Sequence, residues 1–131
     1  MFEKKSQKKA KQKVLLIVED DALLSRALAD AFATENFDII RVANGLEVQE
    51  TVEKKIPDVI LLDLILPGLD GFAVLKQLKS DTKTSAIPVV IVSNLGSVAD
   101  VKSAKSLGAE AYFIKANTEI EQIVEFVNKL V

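Results

Sequence analysis

Along this chain, short unbroken apolar runs alternate with stretches whose apolar residues recur every three or four positions. The unbroken runs lie at 14–18, 59–62, 89–92 and 111–114, and 37–42 is a further strand candidate carrying Ile39, Ile40 and Val42. Unbroken runs of this length predict strands buried on both faces. Between them, Leu24, Ala27, Leu28, Ala31 and Phe32 predict a first amphipathic helix. Val48, Val52 and Ile56 predict a second, stopping before Pro57. Phe72, Leu75 and Leu78 mark a third over 71–79. Val98, Val101, Ala104 and Leu107 mark a fourth, closed by Gly108. Ile120, Ile123, Val124, Val127 and Leu130 line a fifth.

Five strand–helix units in succession predict an α/β fold, with a parallel sheet covered by helices on both faces. Right-handed crossovers reduce the arrangements to a few, and the expected one is a doubly wound, flavodoxin-like sheet of order 2-1-3-4-5. Ligands of such sheets bind at the carboxyl ends of the strands, beside the switch point between strands 1 and 3.

Composition narrows the chemistry. The 131 residues suffice for one domain with a sizeable core. There is no cysteine and no histidine, which removes disulfides, thiolate and imidazole metal ligands and imidazole bases. No stretch approaches the roughly 20 apolar residues of a membrane span, and no secretory signal is visible, so the expected location is cytoplasmic. The net charge of −2 is unevenly distributed. Residues 1–13 carry six lysines against Glu3, whereas the remainder holds 11 basic and 18 acidic residues. Residues 1–13 read as a basic N-terminal tail, either a solvated extension or an electrostatic contact with an acidic partner, lipid or nucleic acid. The acidic remainder, 14–131, argues against nucleic-acid binding by the folded domain.

The strand ends carry the candidate chemistry. Strand 1 ends in Glu19 and Asp20, strand 3 in Asp63, strand 4 in Ser93 and strand 5 in Lys115. Asp21 reads as a helix cap. Gathered carboxylates repel one another, and a hard cation relieves this. Magnesium suits oxygen ligands from Asp20, Asp63, Glu19 and the Ile65 carbonyl. With charge neutralised, Asp63 would attack a phosphoryl group, and Lys115 and Ser93 would hold its oxygens.

The segments Leu15-Leu16-Ile17-Val18-Glu19-Asp20-Asp21, Leu61-Leu62-Asp63-Leu64-Ile65-Leu66-Pro67-Gly68-Leu69-Asp70-Gly71, Ile91-Val92-Ser93, Gly108-Ala109 and Tyr112-Phe113-Ile114-Lys115 resemble the receiver domain of two-component response regulators. The resemblance runs from Val14 to Val131. It implies a phosphoprotein rather than an enzyme: a histidine kinase, or a phosphotransfer protein, passes a phosphoryl group to Asp63 with Mg2+. It also implies an acidic metal pair, Glu19 and Asp20, a switch hydroxyl on Ser93, a following aromatic, Tyr112, and a phosphate-contacting Lys115. The signal would leave through the face of helix 4, strand 5 and helix 5, toward an unidentified downstream protein, from a monomer or a phosphorylation-dependent dimer. The chain ends after the fifth helix, so it is expected to be either a single-domain regulator or a receiver of a longer protein.

Four positions depart from the family. Ala116 stands where a proline on a cis bond is usual. A cis bond before alanine would cost ~3 kcal/mol, so a trans bond is expected. Asn94 replaces a usually small residue, narrowing access to Asp63 or adding a hydrogen bond. Ile65 and Leu95 put aliphatic side chains where polar ones are common, which predicts slow self-hydrolysis. Two other readings stand beside this one. A receiver-like interaction module that is never phosphorylated would usually lack the acidic pair, the acceptor or the lysine, and all of these are present. A flavodoxin-like cofactor carrier would need a phosphate loop after strand 1, where Glu19-Asp20-Asp21 would repel phosphate.

Overall fold

The computed structural model describes residues 12–131. It contains five strands, β1 (Lys13–Val18), β2 (Phe37–Val42), β3 (Val59–Leu62), β4 (Val89–Ser93) and β5 (Ala111–Ile114). The helices between and after them are α1 (Ala22–Ala33), α2 (Val48–Lys54), α3 (Gly71–Ser80), α4 (Val98–Ser106) and α5 (Ile120–Leu130). All four strand pairings are parallel, and the order is β2-β1-β3-β4-β5. The expected doubly wound sheet is therefore the one found.

Alternation along the strands sends successive side chains to opposite faces. Leu16, Val18, Ile60, Leu62, Val89 and Ile91 pack with the buried residues of α2, α3 and α4. Leu15, Ile17, Val59, Leu61, Val90 and Val92 pack with those of α1 and α5. Every residue of β3 is buried, because it lies mid-sheet with helices on both sides. Burying each such aliphatic side chain stabilises the fold by about 1.5–3 kcal/mol.

Some boundaries and faces differ from the expectations. Lys13 is the first residue of β1, paired with Phe37, so the strand begins inside the segment expected as tail; residues 1–11 lie outside the described residues. In α1, Ser25 rather than Ala27 is buried, because its hydroxyl accepts a hydrogen bond from Arg41 Nε (2.9 Å) and so loses little on leaving water. Ile56 lies beyond α2 and is exposed. Val98, expected on the inner face of α4, is also exposed, and α4 buries only Ala104. Gly108 follows α4 with φ +109°, a conformation that suits the expected glycine stop.

Candidate functional site

The carboxyl ends of β1, β3, β4 and β5 meet at one edge of the sheet, where the strand register aligns Val18 with Leu62 and Ser93 with Ile114. Glu19 and Asp63 each follow directly on a buried strand and are themselves buried, 4% and 3% exposed. Their backbones continue the sheet: Glu19 N–H donates to Val42 O and Asp63 N–H to Val18 O, both at 3.0 Å. Asp20, the next residue of the same loop, is exposed. Carboxylate oxygens of Glu19, Asp20 and Asp63 all lie within 4.8 Å of one another.

Lys115 closes the cluster from the end of β5. Its Nζ donates to Asp63 Oδ2 at 2.8 Å and to Glu19 Oε1 at 2.9 Å. Burial alone would lower the Lys115 pKa, but the hydrogen bonds and charges of Asp63 and Glu19 outweigh it and hold it above the ordinary value. The Glu19 pKa is raised as well, which for an acid disfavours the charged form. Burial raises its pKa, and the neighbouring Asp63 charge adds to this, against the lowering hydrogen bonds from Lys115 and Asp21 N–H. A buried acid disfavoured as a carboxylate, beside two others and one ammonium, is a donor set short of positive charge. Three hard oxygen donors within reach of one point fit a magnesium-like cation. Glu19, Asp20 and Asp63 are the side chains that would hold it.

The remaining expected residues are close by. Ser93 is fully buried at the end of β4. Its Oγ accepts from Leu95 N–H (3.3 Å). The Tyr112 hydroxyl donates to the Leu95 carbonyl. One peptide segment thus ties Ser93 to Tyr112, a link that no side-chain pattern in the sequence announces. Burial, then the charges of Asp100 and Asp63, raise the Tyr112 pKa. Ile65 N–H donates to Asp63 Oδ1 (3.1 Å), while its side chain is exposed on the rim. Asn94 is exposed as well. The Lys115–Ala116 bond is trans, as expected, since the described residues contain no cis bond, and Lys115–Asn117 forms a 3-10 turn.

Two glycines shape the site. A Cβ at Gly71 would lie 2.3 Å from Asp63 O and 2.4 Å from Leu64 Cα. The missing side chain lets α3 start directly under the aspartate, with Gly71 N–H donating to Leu64 O (2.9 Å). A Cβ at Gly45 would lie 1.8 Å from Leu69 O, and Gly45 N–H donates to Pro67 O (3.1 Å). The β2–α2 loop thereby braces the loop after Asp63. The Asn44-Gly45 and Asp70-Gly71 dipeptides were the available signals, but tight backbone approach is invisible in one sequence.

Comparison with known proteins agrees with this geometry. Residues 15–128 match the family model of the response regulator receiver domain. The chain is 34% identical over 115 residues to sporulation initiation phosphotransferase F of Bacillus subtilis, covering 88% of this chain and 90% of that protein. Against two transcriptional regulators that it also matches, the chain spans only 48% and 40% of their length. Among solved structures, the Mn(2+)-bound form of response regulator Rcp1 superposes with a TM-score of 0.77 at 28% identity, covering 90% of this chain and 91% of that one. The phosphorylated cyanobacterial phytochrome response regulator RcpA does so with a TM-score of 0.78 at 30% identity, covering 91% of each chain.

Proposed function

The chain belongs to the response regulator receiver family, and from that premise we propose that it is a phosphorylation-operated signalling switch whose acceptor is Asp63. The observation that carries this is the buried Asp63 carboxylate held between Lys115 Nζ at 2.8 Å and the Glu19–Asp20 acid pair. An isolated buried carboxylate is costly, and here every neighbour is of a type that phosphoryl transfer uses.

The donor is a phosphohistidine of a sensor kinase or phosphotransfer protein. An Asp63 oxygen attacks phosphorus, the P–O bond forms and the P–N bond to imidazole breaks. Lys115, already ammonium, holds a phosphoryl oxygen. Ser93 turns from the Leu95 N–H to donate to another. Glu19, Asp20, Asp63 and the Ile65 carbonyl are the groups that would hold Mg2+, which supplies charge neutralisation for the incoming phosphoryl group. The structural likeness to Mn(2+)-bound Rcp1 and to phosphorylated RcpA supports both parts of this reading.

Transmission follows from the shared peptide at Leu95. When Ser93 leaves Leu95 N–H, the segment that also accepts from Tyr112 is freed to move, and Tyr112 turns inward. The face built by α4, β5 and α5 then favours a second arrangement, a population shift of an existing equilibrium. A downstream protein reads that face.

The rim supports a protein donor. Leu23, Leu46, Ile65 and Val98 follow β1, β2, β3 and β4 respectively, and all four are exposed large apolar residues. Small acyl phosphates have no use for such a rim, whereas a helical partner presenting its histidine would bury it. The test is beryllofluoride with Mg2+, read by amide resonances. The expected result is saturable shifts at Ser93, Leu95 and Tyr112 that spread over α4 and α5. Absence of binding, with Mg2+ present, would instead favour a receiver-like module that is not phosphorylated.

A further inference from the structure

We propose that the groove between α1 and α5 is a docking site for the chain's own lysine-rich segment, residues 1–11. This goes beyond the phosphoryl site and does not depend on it. The groove has a volume of about 550 Å3, with Ala31, Ile120 and Val124 forming its apolar floor. Glu35, Glu121 and Glu125 also line it. Asn128 Nδ2 of α5 donates to Glu35 Oε1, two residues past the end of α1, at 3.0 Å.

Three observations select this occupant. The first is charge. Residues 1–11 carry Lys4, Lys5, Lys8, Lys9 and Lys11 against Glu3, and they face three glutamates against Lys129. The second is position. Gln12 Nε2 donates to Asn36 Oδ1 (3.2 Å), so the segment joins the described residues one position from Glu35, at the end of the groove. The third is reach. The groove follows α5 from Ile120 to Lys129, about 14 Å at the helical rise of 1.5 Å per residue, and eleven residues reach from about 16 Å as a helix to about 36 Å extended. Phe2 then supplies an apolar group for a floor of Ile120 and Val124, and the lysines pair with the glutamates on either side. Exposed ion pairs are individually weak and screened, so the docked state depends on salt. Docking would cover the α1–α5 face while leaving the rim around Asp63 open.

The chain has no cysteine, so Ser6→Cys in the full chain carries a single nitroxide label. The expected result is about a twofold or larger loss of amide intensity at Ala31, Ile120 and Val124 in ~0.01 M salt, recovered in ~1 M salt, where the Debye length is ~3 Å. Glu121→Gln/Glu125→Gln, both exposed positions, should abolish the loss while leaving the rest of the spectrum in place. Glu35→Gln serves if the double variant does not fold. Intensity loss centred elsewhere, or none, overturns the proposal. So does loss on an isotope-labelled chain mixed with spin-labelled chain of ordinary isotopes, which would show contact between two copies. Beryllofluoride binding at Asp63 is read separately, so either proposal can fail alone.

Discussion

Ile65 and Leu95 flank the candidate acceptor with aliphatic side chains, one exposed and one half-buried. Neither can orient a water for attack on an aspartyl phosphate, and general-base or positioning help of that kind is worth ~10²–10⁴-fold where present. The phosphorylated chain should therefore lose its label over minutes or longer. Ile65→Asn should shorten the lifetime by about tenfold, which corresponds to about 1.4 kcal/mol of barrier. Loss within seconds in the unmodified chain would remove the argument. A second residue sets a pH dependence away from the site. Lys79 Nζ donates to Ser85 O (3.0 Å) and Ile87 O (2.7 Å), and burial holds its pKa below 10.5 against the opposing charge of Glu110. The folded state thus binds fewer protons than the unfolded state between that lowered pKa and 10.5, so this group's contribution to stability rises with pH across the window. Lys79→Met should remove the rise, seen as a flatter difference in chemical-denaturation free energy over that range. An unchanged pH slope would show that Lys79 is not its source. At this scale Asp63, Glu19, Asp20 and Lys115 were legible because charged residues ending apolar runs are conspicuous. Lys79 was not, since its acceptors are backbone carbonyls beyond the end of its helix.

The helices differ in how firmly they are held. α3 buries Gly71, Val74, Leu75 and Leu78, whereas α4 buries Ala104 alone. Few buried contacts mean a low opening free energy, so the amides of α4 should exchange with solvent faster than those of α3. Comparable protection in the two would contradict α4 as the element that switches. The start of α3 is the opposite case. Gly71→Ala would drive a methyl into Asp63 O at 2.3 Å, and overpacking of this kind costs about 1–3 kcal/mol. That variant should unfold at lower denaturant and accept phosphoryl groups more slowly, because the aspartate backbone itself must move. The sequence made the five helices visible through their periodicity, yet it placed Val98 inward and missed Val74 and Ser25. A helix with one buried alanine has almost no stripe to read, and a buried serine is recognisable only once Arg41 is known to lie beside it.

The sheet order was legible for the whole molecule because alternating strands and helices, with one crossover hand, admit few alternatives. The convergence of the strand ends followed from that order. The contacts among them did not, since the 2.8 Å approach of Lys115 to Asp63 depends on a β5–α5 loop that lacks the usual proline. The apolar rim was also unread, because Leu23, Leu46, Ile65 and Val98 belong to four separate loops and first helical turns. If the rim seats a protein donor, Leu46→Asp should slow transfer from a phosphohistidine protein by about tenfold, equal to ~1.4 kcal/mol, while acetyl phosphate labelling stays unchanged. Equal slowing of both would place Leu46 in the acceptor site itself. The central claim is that Asp63 is the acceptor. Intact mass after incubation with acetyl phosphate and Mg2+ tests it most directly. The expected result is one added phosphoryl group, lost when Mg2+ is chelated beforehand and absent in Asp63→Asn. No added mass on the unmodified chain, or the same mass on Asp63→Asn, would contradict it.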